Sequence, residues 1–158
     1  MLTDFEAVAI NAVRIEFQGV QNKGCHFHLS QSVYRKVQAL GLAAQYASDE
    51  NLSLFVRHIP ALAFLPHNDI PAAFDELRSN MPPDMPPGVN ELMEWFEVYY
   101  VRGGIIRTLR DGNVVRSEPL FPPSLWSVTK NIKYTFLRTQ NSVEEMENLG
   151  RMSICKII

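Results

Sequence analysis

The sequence is short of cysteine, of net charge and of long apolar runs, and each shortage removes a class of protein. Two cysteines, Cys25 and Cys155, are too few for a disulfide framework and suit a reducing compartment. No apolar run is long enough to span a bilayer, and the N-terminus lacks the basic-then-apolar pattern of a secretion signal. The chain therefore reads as intracellular and soluble, with no membrane partner. A formal net charge of −2 excludes a polycation that holds nucleic acid by bulk charge. No lysine- or arginine-rich cluster marks a nuclear signal. A glycine-rich phosphate loop, a G-x-S-x-G elbow, a four-ligand zinc array and internal repeats are all missing.

What is present is one domain's worth of chain, 158 residues with 46% hydrophobic content, enough for a packed core. Its charge is unevenly placed. Residues 67–100 carry Asp69, Asp75, Glu76, Asp84, Glu91, Glu94 and Glu97 against Arg78 alone. Residues 101–140 carry Arg102, Arg107, Arg110, Arg116, Lys130, Lys133 and Arg138 against Asp111 and Glu118. The basic block reads either as a solvated face or as a surface for phosphates.

The stretch that organises the chain runs from Gly24 to Gln38. Cys25, Phe27 and Leu29 alternate with His26 and His28, which predicts a strand over Val20–Leu29. Ser30 then suits a helix N-cap, Val33, Val37 and Leu40 follow at helical spacing, and Gly41 fits a left-handed stop. Polar groups at such a strand-to-helix junction are where open α/β sheets place their chemistry. Cys25 and His28 would point to opposite faces of an unbroken strand and converge only if the backbone turns between them. They read as a buried thiol and a hydrogen-bonded histidine, or as half of a zinc site that His26, His58, His67 or Cys155 would complete.

Elsewhere the pattern is helical. Thr3 with Glu6 makes a capping box for a helix over about residues 5–16, and Asp4 sits well at its positive end. Leu52, Phe55, Val56 and Ile59 mark an amphipathic helix stopped by Pro60. Pro71 opens the next, with Ala72, Ala73, Phe74 and Leu77 on its inner side. After the proline-rich loop 81–88, Val89, Leu92, Met93, Phe96, Tyr99 and Tyr100 line a further helix. Asp111-Gly112 turns a hairpin between Ile105–Leu109 and Asn113–Arg116. Ser124 is read as the cap of a helix carrying Leu125, Trp126, Val128 and Ile132. Ser142 with Glu145 caps a last one. The fold class expected is mainly α with a minor β component.

Five pieces occur in order: TDFEAVAINAV from Thr3, GCHFHLSQSVYRKVQALGL from Gly24, HIPALAFLP from His58, LFPPSLWSV from Leu120 and RTQNSVEE from Arg138. Together they resemble the later part of the catalytic domain of Mutator-like element (MULE) transposases. The resemblance implies a truncated ribonuclease-H-like core in residues 1–48, a helical insertion in 49–123 and a return to the core in 124–158, all one partial domain. It makes Asp4 the second and Glu144 the third acid of a DDE triad, both metal ligands for Mg²⁺ or Mn²⁺, with His28 and Cys25 supporting them as the family's C-x-x-H pair. Asp4 and Glu144 should then lie within reach of one metal ion. Two features depart from the family pattern: Gln140, and Glu145-Met146-Glu147 where Gly-Trp-His is usual. The first acid would lie upstream, so the expectation is a catalytically incomplete transposase fragment, nuclear and DNA-directed, whose partner is the missing upstream segment. Its lone strand at Val20–Leu29 would have no sheet to enter. The alternative is a helical DNA- or protein-interaction module that uses Arg102, Arg107, Arg110, Arg116, Lys130 and Lys133. A small domain held by zinc on Cys25 and His28 is a third reading.

Overall fold

A computed structural model describes residues 2–3 and 23–129. The helix expected over residues 5–16, the last capped helix, Asp4, Glu144, Cys155, Lys130, Lys133 and Arg138 lie outside the described residues. Those described are mainly helical with a minor β component.

Strand β1 (Leu2–Thr3) pairs in parallel with β2 (Lys23–Gly24), Leu2 opposite Lys23 and Thr3 opposite Gly24. The expected orphan strand therefore has a neighbour, and its described part ends at Gly24 rather than Leu29. Helix α1 (His26–Ala39) begins five residues before the sequence pattern suggested, with Cys25 in extended backbone as its N-cap residue. Ser30 caps nothing: it lies in the second turn and its hydroxyl donates to the His26 carbonyl at 3.1 Å. The alternation ending at Leu29 misleads because Leu29 also starts the buried helical series Leu29, Val33, Val37. The end of α1 is as expected. Gly41 has φ +71°, its N–H reaches the Gln38 carbonyl, and the Leu42 N–H reaches that of Val37, a Schellman stop.

Helix α2 (Ala43–Ser48) leads to α3 (Glu50–Ala61), whose N-cap Asp49 accepts from the backbone of Asn51 at 2.9 Å and Leu52 at 3.2 Å. Leu52, Phe55, Val56 and Ile59 are buried as the periodicity required. Pro60 does not stop the helix outright. It sits in the last turn, and the chain tightens beyond it into a 3₁₀ turn at Leu62–Phe64. Helix α4 (Ile70–Ser79) carries Pro71 in its first turn and buries Ile70 and Phe74.

Helix α5 (Gly88–Phe96) continues into a π turn at Glu97–Val101. The wider turn slips the register, so Tyr100 and Val101 face inward while Tyr99, expected in the core, is 43% exposed. Strands β3 (Ile105–Thr108) and β4 (Val114–Arg116) form the expected antiparallel hairpin, bulged at Ile106. Helix α6 is only Pro123–Trp126; extended Pro122 precedes it, so Ser124 lies inside the first turn and is not its cap. Residues after α6 are laced to the 3₁₀ turn. The Val128 N–H donates to Ala63, the Thr129 hydroxyl to Phe64 and the Ser127 hydroxyl to Leu65. Helix α6 also packs beside β2.

The core between these elements is aromatic at its centre. Phe96 stacks on Tyr100 at 4.9 Å between centroids and meets Trp126 edge-on at 5.7 Å. The Trp126 indole N–H donates to the carbonyls of Tyr100 (3.0 Å) and Phe121 (3.1 Å). No helix among the described residues is long and apolar enough to cross a membrane.

Two outcomes follow from this packing. Trp126→Phe puts a smaller ring in a buried site and removes the N–H that donates to two carbonyls, and should cost at least about 1–3 kcal/mol in a denaturant titration. His58, half-buried on α3, has its pKa held below the ordinary 6.5, first by burial and then by neighbouring Arg57. Below pH 6.5 the unfolded chain therefore binds the proton more readily than the folded one, and stability falls as pH drops through that region. His58→Gln should flatten the slope of stability against pH there; an unchanged slope would exclude His58 as its source.

Candidate functional site

Two places in the fold carry polar side chains in unusual settings. The first is the junction of β2 and α1. Because the backbone turns into a helix at Cys25, Cys25 and His28 lie one turn apart on the same side rather than on opposite faces of a strand. Cys25 is fully buried. His28 rests edge-on against Phe27, and its Nδ1 is buried with no hydrogen-bond partner among the described residues. His26 lies against Phe64 of the 3₁₀ turn, ring centroids 5.0 Å apart. Among the described residues no group of three His, Cys, Asp or Glu side chains is placed to hold a metal ion, so His26, His58 and His67 do not complete a zinc site there. A thiol and an imidazole are soft or borderline donors, whereas a hard cation such as Mg²⁺ or Mn²⁺ prefers carboxylates; Asp4 and Glu144 lie outside the described residues.

The second place was not singled out from the sequence. Glu97, at the start of the π turn, is 8% exposed and ringed by three arginines. Its carboxylate accepts from Arg78 Nη1 at 2.9 Å, from Arg116 Nη2 at 3.0 Å and from Arg102 Nη1 at 3.4 Å. Arg102 also grips Asp75 of α4 with both arms of its fork, the Nη1–Oδ1 contact being 2.7 Å, and donates to the Pro71 carbonyl. That grip holds the Asp75 carboxyl below the usual carboxylate range. Arg116 donates to the Gly103 carbonyl at 2.9 Å. Glu97 follows Met93 by four residues, so a helical wheel already placed an acid on the apolar stripe. That was the available signal, since buried acids occur with partners.

This arrangement divides the six cations expected to meet phosphate. Arg102 and Arg116 are consumed by Asp75 and Glu97. Arg107 and Arg110 stand exposed on the hairpin; Asp111 at its tip and Glu118 past its root are exposed as well. Lys130 and Lys133 fall outside the described residues. Among the described residues the block thus keeps two uncommitted arginines, Arg107 and Arg110, of its four. On α1, Arg35 is exposed while Tyr34 leans on Tyr46 at 5.4 Å.

The root of the hairpin is held closely. The Gly104 N–H donates to the Ser117 hydroxyl at 3.0 Å, and the Ser117 N–H to the Gly104 carbonyl at 2.9 Å. Gly103 has φ +81°, and a Cβ on it would come within 1.9 Å of the Ser117 carbonyl oxygen.

Glu97→Gln should destabilise the fold by about 2–4 kcal/mol; the full value for a buried pair is reduced here because each guanidinium is roughly one-third exposed. Arg107→Ala should stay within about 0.5 kcal/mol of the parent in the same titration. Comparison with protein-family models, with curated proteins and with solved structures finds no match to this chain.

Proposed function

We propose that the chain is a portion of a MULE-type DNA transposase, a piece of ribonuclease-H-like core followed by a helical insertion, and that it is catalytically incomplete by itself. The observation that carries the reading is the parallel pairing of β1 with β2. Parallel neighbours need a crossover connection of a dozen or more residues, and residues 4–22 supply nineteen. The two candidate polar residues, Asp4 and Cys25, directly follow Thr3 and Gly24, the last residues of two adjacent parallel strands. The carboxyl ends of such strands are where open α/β sheets bind ligands. A second observation supports the return of the chain to the core: α6 packs beside β2, and Thr129 is tied to Phe64, whose ring touches His26. Thr129, the last described residue before Glu144 in the chain, is therefore tied to a turn that touches α1 at its start.

On this reading Asp4 and Glu144 would hold Mg²⁺ or Mn²⁺, the metal activating the attacking oxygen for strand transfer on DNA when bound. His28, with a buried Nδ1 still to be satisfied, would orient one of these carboxylates, and Cys25 would fill the apolar floor beneath.

Iron(II) placed in the same site tests this without catalysis. Carboxylates sharing one metal must have oxygens within roughly 4–6 Å of each other. With ascorbate and peroxide, bound Fe²⁺ should cut the backbone at both residue 4 and residue 144, and Mg²⁺ should suppress both cuts. Asp4→Ala should abolish the cut at 144 as well as its own. Cuts at one place only, or none, would remove the shared site.

A further inference from the structure

We propose that the β3–β4 hairpin is an arm through which two copies of this chain pair, each arm lying along the outer stripe of the other copy's α5.

Exposed apolar surface is concentrated there. Of nine large hydrophobic side chains exposed among the described residues, seven lie between Val98 and Leu120. Ile105 and Ile106, on the first strand, are 60% and 66% exposed, and Val114, opposite Thr108 on the second, is also open. Scattered exposed apolar groups need no explanation, but seven of nine gathered in one segment of the chain mark it as a place of interaction. Among the described residues the hairpin has only two strands, so neither outer edge has a further strand beside it there, and a two-stranded ribbon alone is marginal in water. Nevertheless its root is fixed by Glu97–Arg116 and by the Ser117–Gly104 pair of hydrogen bonds. A ribbon anchored at the root and bare on its faces is presented outward rather than folded into the core.

Charge identifies the occupant. The arm's uncommitted cations are Arg107 and Arg110. Along the outside of α5 and into the π turn, Glu91, Glu94, half-buried Trp95 and Val98 recur at helical spacing, giving an acidic stripe with an apolar seam. Glu94 is 67% exposed and met only at 3.8 Å by Arg78, so it can accept another cation. Arm and stripe are thus complementary in both respects, basic with apolar against acidic with apolar. Nucleic acid is disfavoured because two free arginines are few phosphate contacts, while they match in number the two exposed acids, Glu91 and Glu94, of the stripe.

The stripe, the π turn and the arm are consecutive in the chain, with only Arg102, Gly103 and Gly104 between turn and strand. A two-fold axis near that root would let each arm reach its partner's stripe, so the same contact is made twice. Such self-complementary closure is the commonest geometry of homodimers, and doubling the contact raises the buried area toward what a stable interface requires.

Sedimentation of the full chain across the micromolar range is the test. The parent chain should dimerise. Arg107→Glu with Arg110→Glu makes arm and stripe both acidic; Glu91→Lys with Glu94→Lys makes both basic. Each doubly substituted chain alone should dimerise on the order of tenfold more weakly, while their equimolar mixture should regain dimers, since both arm–stripe contacts are then of opposite sign. Recovery in the mixture also shows that the substituted chains fold. Ile106→Asp should weaken pairing without being rescued by either partner. A chain that stays monomeric throughout, or a dimer indifferent to both charge reversals, overturns the proposal. So does a monomer whose hairpin amides are already protected from hydrogen exchange, which would mean that residues 130–158 cover the arm. Retention on DNA at low salt that depends on Arg107 and Arg110, without dimers, would give the arm to nucleic acid instead.

Discussion

The carboxylate of Glu97 joins three parts of the molecule that the chain keeps apart. Arg78 comes from α4, Arg102 from the end of the π turn and Arg116 from the hairpin, and all converge on one side chain with little access to water. An acid is tolerated in such a place only when its charge is met and its oxygens are satisfied. The π turn makes this geometry, because widening the helix at Glu97–Val101 brings Glu97, Tyr100 and Val101 inward together. Tyr100 thereby reaches Phe96, Phe121 and the hydroxyl of Ser32, while its carbonyl receives Trp126. The aromatic centre and the ion cluster are therefore two sides of one local distortion.

Much of the helical fold was legible because its signals are local. Gly41 as a left-handed stop, Pro71 in a first turn, the buried series from Leu52 to Ile59 and the Asp111-Gly112 turn each depend on a few consecutive residues. The start of α1 was not, because a window as short as Cys25–Leu29 fits a period of two and a helical stripe equally well, and neither pattern reveals where the backbone turns. The partners of the charges were also illegible. Reading residues 67–100 as one acidic block and 101–140 as one basic block treats neighbours in sequence as neighbours in space. In the fold, Asp75 and Glu97 from the first block neutralise Arg102 and Arg116 from the second.

The junction near β2 shows the complementary case, in which sequence likeness pointed to a place and geometry altered its meaning. The pair Cys25 and His28 was drawn on a strand, and the helix start puts both on one side. The strand itself was expected to be alone, and Leu2–Thr3, of which Thr3 is expected as part of a helix capping box, pairs with it. Parallel pairing between segments some twenty residues apart is a long-range property, invisible to any window that scans one stretch at a time.

Gly103 and Gly112 both have positive φ, +81° and +85°, yet they face different futures under mutation. Around Gly112 there is open space, so an asparagine or aspartate that tolerates the left-handed region can replace it at modest cost. Gly103 is barred twice, by its dihedral and by the Ser117 carbonyl where a Cβ would have to go. Drift at the tip can thus reshape the end of the hairpin freely, while its point of attachment has no neighbouring sequence to move to. Over evolutionary time the arm is free to change what it touches far more readily than where it stands.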